Sequence, residues 1–105
     1  LGFTGGNNMG IHYSIENFNS DYILLLNNDT TVHPQFLTAL FNHAQSHPKA
    51  GVTVSKIYFS KNREFHLKSY KKNELGKVFW YAGGSIDWDN LVAFHRGVDE
   101  VDRGH

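Results

Sequence analysis

An unbroken apolar run that stops abruptly at polar residues limits the choice of fold more than any other part of the sequence. Residues 22–26 read YILLL, and Asn27, Asn28 and Asp29 follow directly. A strand with one wet face alternates apolar and polar side chains, whereas a strand covered on both faces is apolar throughout. The run therefore predicts a strand buried on both faces, as in a parallel sheet, with a polar cluster at its carboxyl end.

Helical and extended patterns alternate around this run. Apolar residues recur at helical spacing over residues 11–18, with Asn7 or Asn8 as the expected N-cap. A second helix is predicted over residues 34–44, and a strand over residues 52–58. The order helix, strand, helix, strand predicts an α/β fold, with a mostly parallel sheet and flanking helices.

The second half of the chain has weaker periodicity. Residues 59–77 are polar and basic, which predicts a long excursion with one short strand near residues 65–67. An aromatic strand is expected at residues 78–81, followed by a turn at Gly83–Gly84 and a returning strand at residues 91–94. Lys61, Arg63, Lys68, Lys71, Lys72 and Lys77 all fall in the excursion. They form either a solvated loop or a loop near phosphates or membrane headgroups.

Composition excludes several classes of function. Ten Lys and Arg residues balance ten Asp and Glu residues, so the chain has no net positive charge that would draw it to nucleic acid or to anionic lipid. The absence of Cys excludes a disulfide framework, a thiolate nucleophile and sulfur-liganded zinc. No apolar run approaches the ~20 residues of a membrane span. A cytoplasmic location is expected, with a position at the inner face of the membrane left open for the full-length protein.

The polar cluster after the apolar run could bind a divalent cation. In an α/β sheet, ligands bind beyond the carboxyl ends of the strands. Mg²⁺ and Mn²⁺ prefer oxygen ligands and often take one or two carboxylates, with phosphates and water completing the shell. Asp29 suits that role, and Asn27 could add a carbonyl oxygen. In the alternative interpretation, the cluster only turns the chain toward Pro34.

A glycine motif precedes the first predicted helix. Residues 5–8 read GGNN, and the start of a helix offers unpaired backbone N–H groups and a favourable dipole to an anion. Glycine also lets a ligand approach the backbone closely. The motif could hold a diphosphate, or it could be a plain turn with an N-cap.

A third motif combines aromatic residues with glycines. Trp80 and Tyr81 are followed by Gly83 and Gly84, and His95 lies further along the chain. Ring faces stack on the apolar side of a sugar and glycine leaves space beside them, so the motif could line a sugar site. Core packing is the alternative for the aromatic strand, and a surface histidine is the alternative for His95.

The motifs occur in one order along the chain. Residues 2–10 read GFTGGNNMG, residues 22–29 read YILLLNND and residues 34–37 read PQFL. This combination resembles the central part of a family 2 glycosyltransferase, where similar runs occur as GFAGGNN and LLLNNDT. The later segments WYAGGSIDW and HRGVDEVDRG are similar to a rhamnosyltransferase-like branch. The resemblance covers nearly the whole chain.

The resemblance implies a GT-A fold, a Rossmann-like α/β domain. Such a domain binds a nucleoside diphosphate sugar and usually a divalent cation, Mg²⁺ or Mn²⁺. It transfers the sugar with inversion to a glycan or lipid-linked acceptor, as in polysaccharide or cell-wall assembly. The family's Asp-x-Asp motif would fall on residues 27–29, which leaves Asp29 as its only carboxylate and metal ligand beside Asn27. The implied donor-binding residues are Gly5, Gly6, Asn7, Asn8, Asn27, Asn28 and Asp29, with Gly83, Gly84 and His95 on the sugar or acceptor side.

We expect residues 1–105 to be the central part of a single GT-A domain cut at both ends. The catalytic base is expected outside the chain, and Asp99, Glu100 and Asp102 are not assigned to it. The fragment alone is therefore expected to be inactive, and an uncovered sheet edge would favour its self-association. The alternatives are a non-catalytic nucleotide- or glycan-binding module of the same fold and a purely structural domain.

Overall fold

The computed structural model describes residues 2–104, and the chain divides into two units, Leu1–His33 and Pro34–His105. Helices α1, Gly2–Phe18, and α2, Phe36–Ser46, belong to the first and second unit respectively. Four short strands follow α2: β1, Ile57–Tyr58; β2, Phe79–Tyr81; β3, Gly84–Asp87; and β4, Val92–His95. None of the helices formed by residues 2–104 is long and apolar enough to cross a membrane.

Helix α1 begins earlier than the sequence predicts. Asn7 and Asn8 lie inside the helix, so their prediction as N-cap residues is wrong. No proline interrupts residues 2–18, and an uninterrupted backbone can continue its hydrogen bonds through weak helix formers. The helix ends before Asn19, which has a φ of 49°, a left-handed conformation that often follows the last helical residue.

The predicted buried strand at residues 22–26 is wrong. This segment has no regular secondary structure, and its side chains are between 37% and 55% exposed. A strand is stable only when a neighbour pairs with its backbone. Both sheets formed by residues 2–104 are built from strands further along the chain.

Helix α2 confirms the second helical prediction within two residues at each end. The first turn follows Pro34, and the backbone N–H of Ala39 donates to the carbonyl of Gln35 at 2.9 Å. Pro48 stands two residues beyond the last helical residue, Ser46. Proline cannot continue a helix, so the positions of Pro34 and Pro48 determine where the helix begins and ends.

The sheets are antiparallel, which corrects the prediction of a mostly parallel sheet. β1 pairs with β2, and β3 pairs with β4 from Gly84 opposite His95 to Asp87 opposite Val92. Parallel neighbours need a long crossover, whereas β3 and β4 are joined by four residues, which permits only a hairpin. The α/β class itself is confirmed.

Several strand boundaries also differ from the predictions. β1 comprises only the last two residues of the strand predicted over residues 52–58. The strand expected near residues 65–67 is wrong, because a 3-10 turn, Leu67–Ser69, forms around a hydrogen bond from Ser69 N–H to the His66 carbonyl. The turn expected at Gly83–Gly84 is wrong as well, since Gly84 begins β3.

The buried core of the second unit lies on β2 and the residue before it. Val78 is fully buried and Phe79 is 8% exposed. Phe59 N–H donates to the Val78 carbonyl on one side at 2.9 Å, while Phe79 N–H donates to the Glu100 carbonyl on the other at 2.9 Å. β2 therefore lies between two backbone neighbours, which explains why burial concentrates there.

Candidate functional site

In the glycine motif, only side chains could contribute to a binding site, because the backbone N–H groups are not free. Gly5, Gly6, Asn7 and Asn8 all lie within α1. After the first turn of a helix, each backbone N–H is already bonded to a carbonyl four residues earlier. An anion could therefore not bind Asn7 or Asn8 through the backbone in this conformation, and their carboxamide groups are the donors that remain.

The predicted metal position is an exposed turn in the same unit. Asn28 and Asp29 form the turn, and the Thr30 hydroxyl donates to the backbone carbonyl of Asn27 at 2.8 Å. This bond leaves the side-chain oxygens of Asn27 and Asp29 available. A carboxylate and a carboxamide oxygen are suitable ligands for Mg²⁺ or Mn²⁺.

These two residues fit a cation only as part of a larger shell. Within residues 2–104, no three His, Cys, Asp or Glu side chains come close enough together to hold a metal ion. Mg²⁺ is commonly held by one or two carboxylates together with substrate phosphates and water. The donor set at Asp29 is thus compatible with a cation that arrives with a diphosphate.

The structure brings together the three residues expected on the sugar or acceptor side. Gly84 and His95 lie opposite each other in the β3–β4 pair, and Arg96 N–H donates to the Gly83 carbonyl at 2.8 Å. A Cβ atom at Gly84 would lie 2.9 Å from the carbonyl oxygen of Phe94. Only glycine permits this close approach of the strands.

Two aromatic rings hold the His95 imidazole. Its centroid lies 5.7 Å from that of Trp80 and 5.2 Å from that of Tyr81, and both contacts are edge to face. Tyr81 and His95 also line a shallow concavity of about 270 Å³ over β3 and β4. The exposed Trp80 indole beside His95, and the open concavity that His95 helps to line, are two surfaces on which a sugar ring could stack.

A cluster around Asp102 could not be found from the sequence. Its carboxylate accepts hydrogen bonds from the Tyr58 hydroxyl and, at 3.3 Å, from Lys56 Nζ, although these partners are more than forty residues away. The Gly104 N–H donates to its other oxygen at 2.8 Å. Phe79 completes the cluster, stacking on Tyr58 with 5.1 Å between ring centroids.

The cluster shifts two pKa values in opposite directions. The Tyr58 hydroxyl first, and then the Gly104 N–H and Lys56, lower the pKa of Asp102 to about 2. Burial first, and then the Asp102 carboxylate, raise the pKa of Tyr58 to about 12. A carboxylate with so low a pKa and with occupied oxygens is a poor proton acceptor. Asp102 therefore links β1 to the end of the chain and is not a suitable general base.

A second carboxylate connects the end of the chain to residues 60–77, which we call the basic loop. His66 Nε2 lies 3.5 Å from an Asp99 carboxylate oxygen, and the Tyr70 hydroxyl donates to the Asp99 carbonyl at 3.2 Å. Burial first, and then the Asp99 and Glu64 carboxylates, raise the pKa of Tyr70. These contacts hold the loop against the returning chain.

Comparison with known proteins agrees with the motifs. A 45-residue part of the chain is 40% identical to the low-salt glycan biosynthesis hexosyltransferase Agl10 of Haloferax volcanii. The aligned part is 43% of this chain and 15% of that protein, so the chain corresponds to a small share of this relative. No solved structure matches the chain significantly. The sequence model of glycosyl transferase family 2 matches residues 2–102, and the chain therefore belongs to glycosyl transferase family 2.

Proposed function

We propose that the chain is part of an enzyme that transfers a sugar from a nucleoside diphosphate sugar to a hydroxyl group of a glycan or lipid-linked acceptor. The transfer would invert the anomeric centre and depend on a divalent cation. The family match over residues 2–102 carries this proposal. In the same proposal, residues 1–105 form the central part of one GT-A domain, which acts at the inner face of the membrane.

Asp29, with Asn27, would hold the cation. The turn at Asn28 and Asp29 is exposed, and the Thr30 hydroxyl occupies the Asn27 backbone carbonyl rather than the side chain. A bound cation offsets the negative charge that develops on a leaving diphosphate. Because Asp29 is the only carboxylate in the motif, cation and donor should bind together.

The carboxamides of Asn7, Asn8 and Asn28 would orient the donor. Each carboxamide has two N–H donors and one oxygen acceptor, so it can bond both diphosphate and ribose oxygens. Gly5 and Gly6 carry no side chain, and at Gly6 the space beside the helix is open, since a Cβ atom built there meets no atom within 4 Å. A diphosphate could therefore approach this part of α1 closely.

The β3–β4 hairpin would contact the sugar or acceptor. Trp80 presents an exposed indole, and the His95 ring lies 5.7 Å from it between centroids, with an angle of 70° between the two ring planes. A pyranose could stack on the indole while the imidazole bonds one of its hydroxyl groups. Gly83 and Gly84 keep the adjoining surface free of side chains.

Calorimetric titration of the full-length protein tests the donor site. UDP and dTDP sugars are titrated with and without Mn²⁺ into the wild type, Asp29→Ala and the matched variant Asp21→Ala, which removes another exposed carboxylate from the same unit. We expect Mn²⁺-dependent binding that is lost in Asp29→Ala and kept in Asp21→Ala. Donor binding that changes neither with Mn²⁺ nor in Asp29→Ala would overturn the metal assignment. Donor binding without transfer to any acceptor would favour a non-catalytic module.

A further inference from the structure

The basic loop is a structured element rather than a loose connection. The two residues that flank the loop are joined by the hydrogen bond from Phe59 N–H to the Val78 carbonyl at 2.9 Å. Inside the loop, the Gly76 N–H donates to the Glu64 carboxylate, and His66 is paired with Asp99 at 3.5 Å. These contacts fix which side chains the loop turns inward and which it presents to solvent.

The loop separates its charges by sign. All six of its cationic side chains are exposed: Lys61, Arg63, Lys68, Lys71, Lys72 and Lys77. Its two carboxylates turn inward. Glu64 is 3% exposed, and the Glu74 side chain is 17% exposed and lies 3.7 Å from Arg103. The net positive charge of the exposed side chains is thus higher than the net charge of all residues of the loop, although the whole chain has no net charge.

Glu64 keeps its charge in this inward position. Burial alone would raise the pKa of its carboxyl group, but backbone N–H groups, including that of Gly76, outweigh burial and lower the pKa. The charged carboxylate is therefore stabilised by hydrogen bonds from the loop backbone rather than by the loop cations. The cations remain available to an external anion.

Apolar side chains lie among these cations. Phe65 is 78% exposed and Leu67 is 45% exposed, between Arg63 and Lys68. An aromatic and an aliphatic side chain surrounded by Lys and Arg suit the boundary between anionic headgroups and acyl chains. A single-stranded nucleic acid would instead need several aromatic rings on which successive bases stack, and Phe65 is the only large aromatic ring on the exposed part of the loop.

We propose that the basic loop docks on an anionic lipid bilayer, with Phe65 and Leu67 inserted between headgroups and the surrounding cations bound to lipid phosphates. The proposal rests on the proposed function in one respect: docking on the bilayer would give the enzyme access to a lipid-linked acceptor. Its geometry depends only on the loop. Bilayer binding and donor binding are therefore measured by separate experiments, and either can fail alone.

Flotation of the full-length protein with lipid vesicles tests the cations. The vesicles contain phosphatidylcholine alone or an equimolar mixture with phosphatidylglycerol. Each cation near an anionic surface changes partitioning by about fivefold, so Lys68→Gln/Lys72→Gln should weaken binding to the mixed vesicles by roughly 25-fold. The matched control Lys49→Gln/Arg96→Gln removes two exposed cations outside the loop and should bind nearly as the wild type does.

A fluorescent label tests the insertion of Phe65. Residues 1–105 contain no Cys, so Phe65→Cys and the control Leu91→Cys, at another highly exposed apolar position, can each carry one environment-sensitive dye in full-length protein whose cysteines outside these residues are replaced by serine. We expect a blue shift on mixed vesicles for the label at position 65 and none at position 91. Equal binding to both vesicle types, equal loss in both double variants, or binding to an oligonucleotide but not to vesicles would overturn the proposal.

Discussion

Replacement of Gly97 by alanine should destabilise the second unit through two separable effects. Gly97 has a φ of 77°, and a Cβ atom built there would lie 2.7 Å from the Cβ of Ala82. The left-handed backbone costs a non-glycine residue about 1–2 kcal/mol. Overlap with a side chain that cannot rotate away adds about 1–3 kcal/mol. The free energy of unfolding should therefore fall by about 2–5 kcal/mol.

Three further variants separate these contributions. Gly76 has a similar φ, 83°, and a Cβ atom there would meet its nearest neighbour, Lys61 Cβ, at 3.4 Å, an ordinary van der Waals distance, so Gly76→Ala should show the backbone cost alone. Ala82→Gly removes the overlapping methyl group. In the double variant Ala82→Gly/Gly97→Ala, the overlap is relieved, and a double-mutant cycle should give a coupling of about 1–3 kcal/mol.

The stability of the wild type and of all four variants is measured by urea unfolding. Trp80 and Trp88 both lie in the β2–β4 region, so tryptophan fluorescence reports on the part of the chain where the variants act. The midpoint should fall furthest for Gly97→Ala and recover in the double variant. Equal losses in Gly97→Ala and Gly76→Ala, or a double variant no more stable than Gly97→Ala, would refute the assignment of the cost to the Ala82 contact.

Three other perturbations follow from the contacts described. Because the pKa of Asp102 is lowered to about 2, its contribution to stability is complete above its ordinary value near 3.8 and is lost as pH falls toward 2; Asp102→Asn should remove this acid limb from unfolding curves. Tyr58→Phe removes the largest cause of that shift, so NMR titration should show a higher pKa for Asp102. The Asp87 carboxylate accepts from the Asn90 backbone at 3.1 Å and side chain at 2.8 Å, so Asp87→Ala should speed amide exchange at Asn90, while exchange in α2 stays unchanged.

Local signals in the sequence predicted the elements that depend on local interactions. Helix α2 has an apolar stripe between two prolines, and its bounds follow from them. The apolar run at residues 22–26 has an equally strong pattern, yet it forms no strand. A helix satisfies its backbone within its own segment, whereas a strand needs a partner that its own sequence does not specify.

The candidate site shows the same difference between residues that are close in sequence and residues that meet only in the folded chain. The motif residues at Asn27–Asp29 were found because they are contiguous, and their role in binding stays a prediction. The aromatic and glycine motif and the resemblance both group Gly84 with His95, and their pairing across β3 and β4 shows that they are neighbours. No pattern could have linked Tyr58 to Asp102, because their contact depends on strands that pair across more than forty residues.

The direction in which charged side chains point decides what the basic loop can bind. The sequence gives residues 60–77 six cations and two carboxylates, which suggests partial neutralisation within the loop. The structure turns Glu64 toward the Gly76 N–H and Glu74 toward Arg103, a residue outside the loop. Neither carboxylate then competes for the exposed cations. A neutral chain can therefore present a strongly cationic surface, and this separation of charge favours binding to an anionic bilayer.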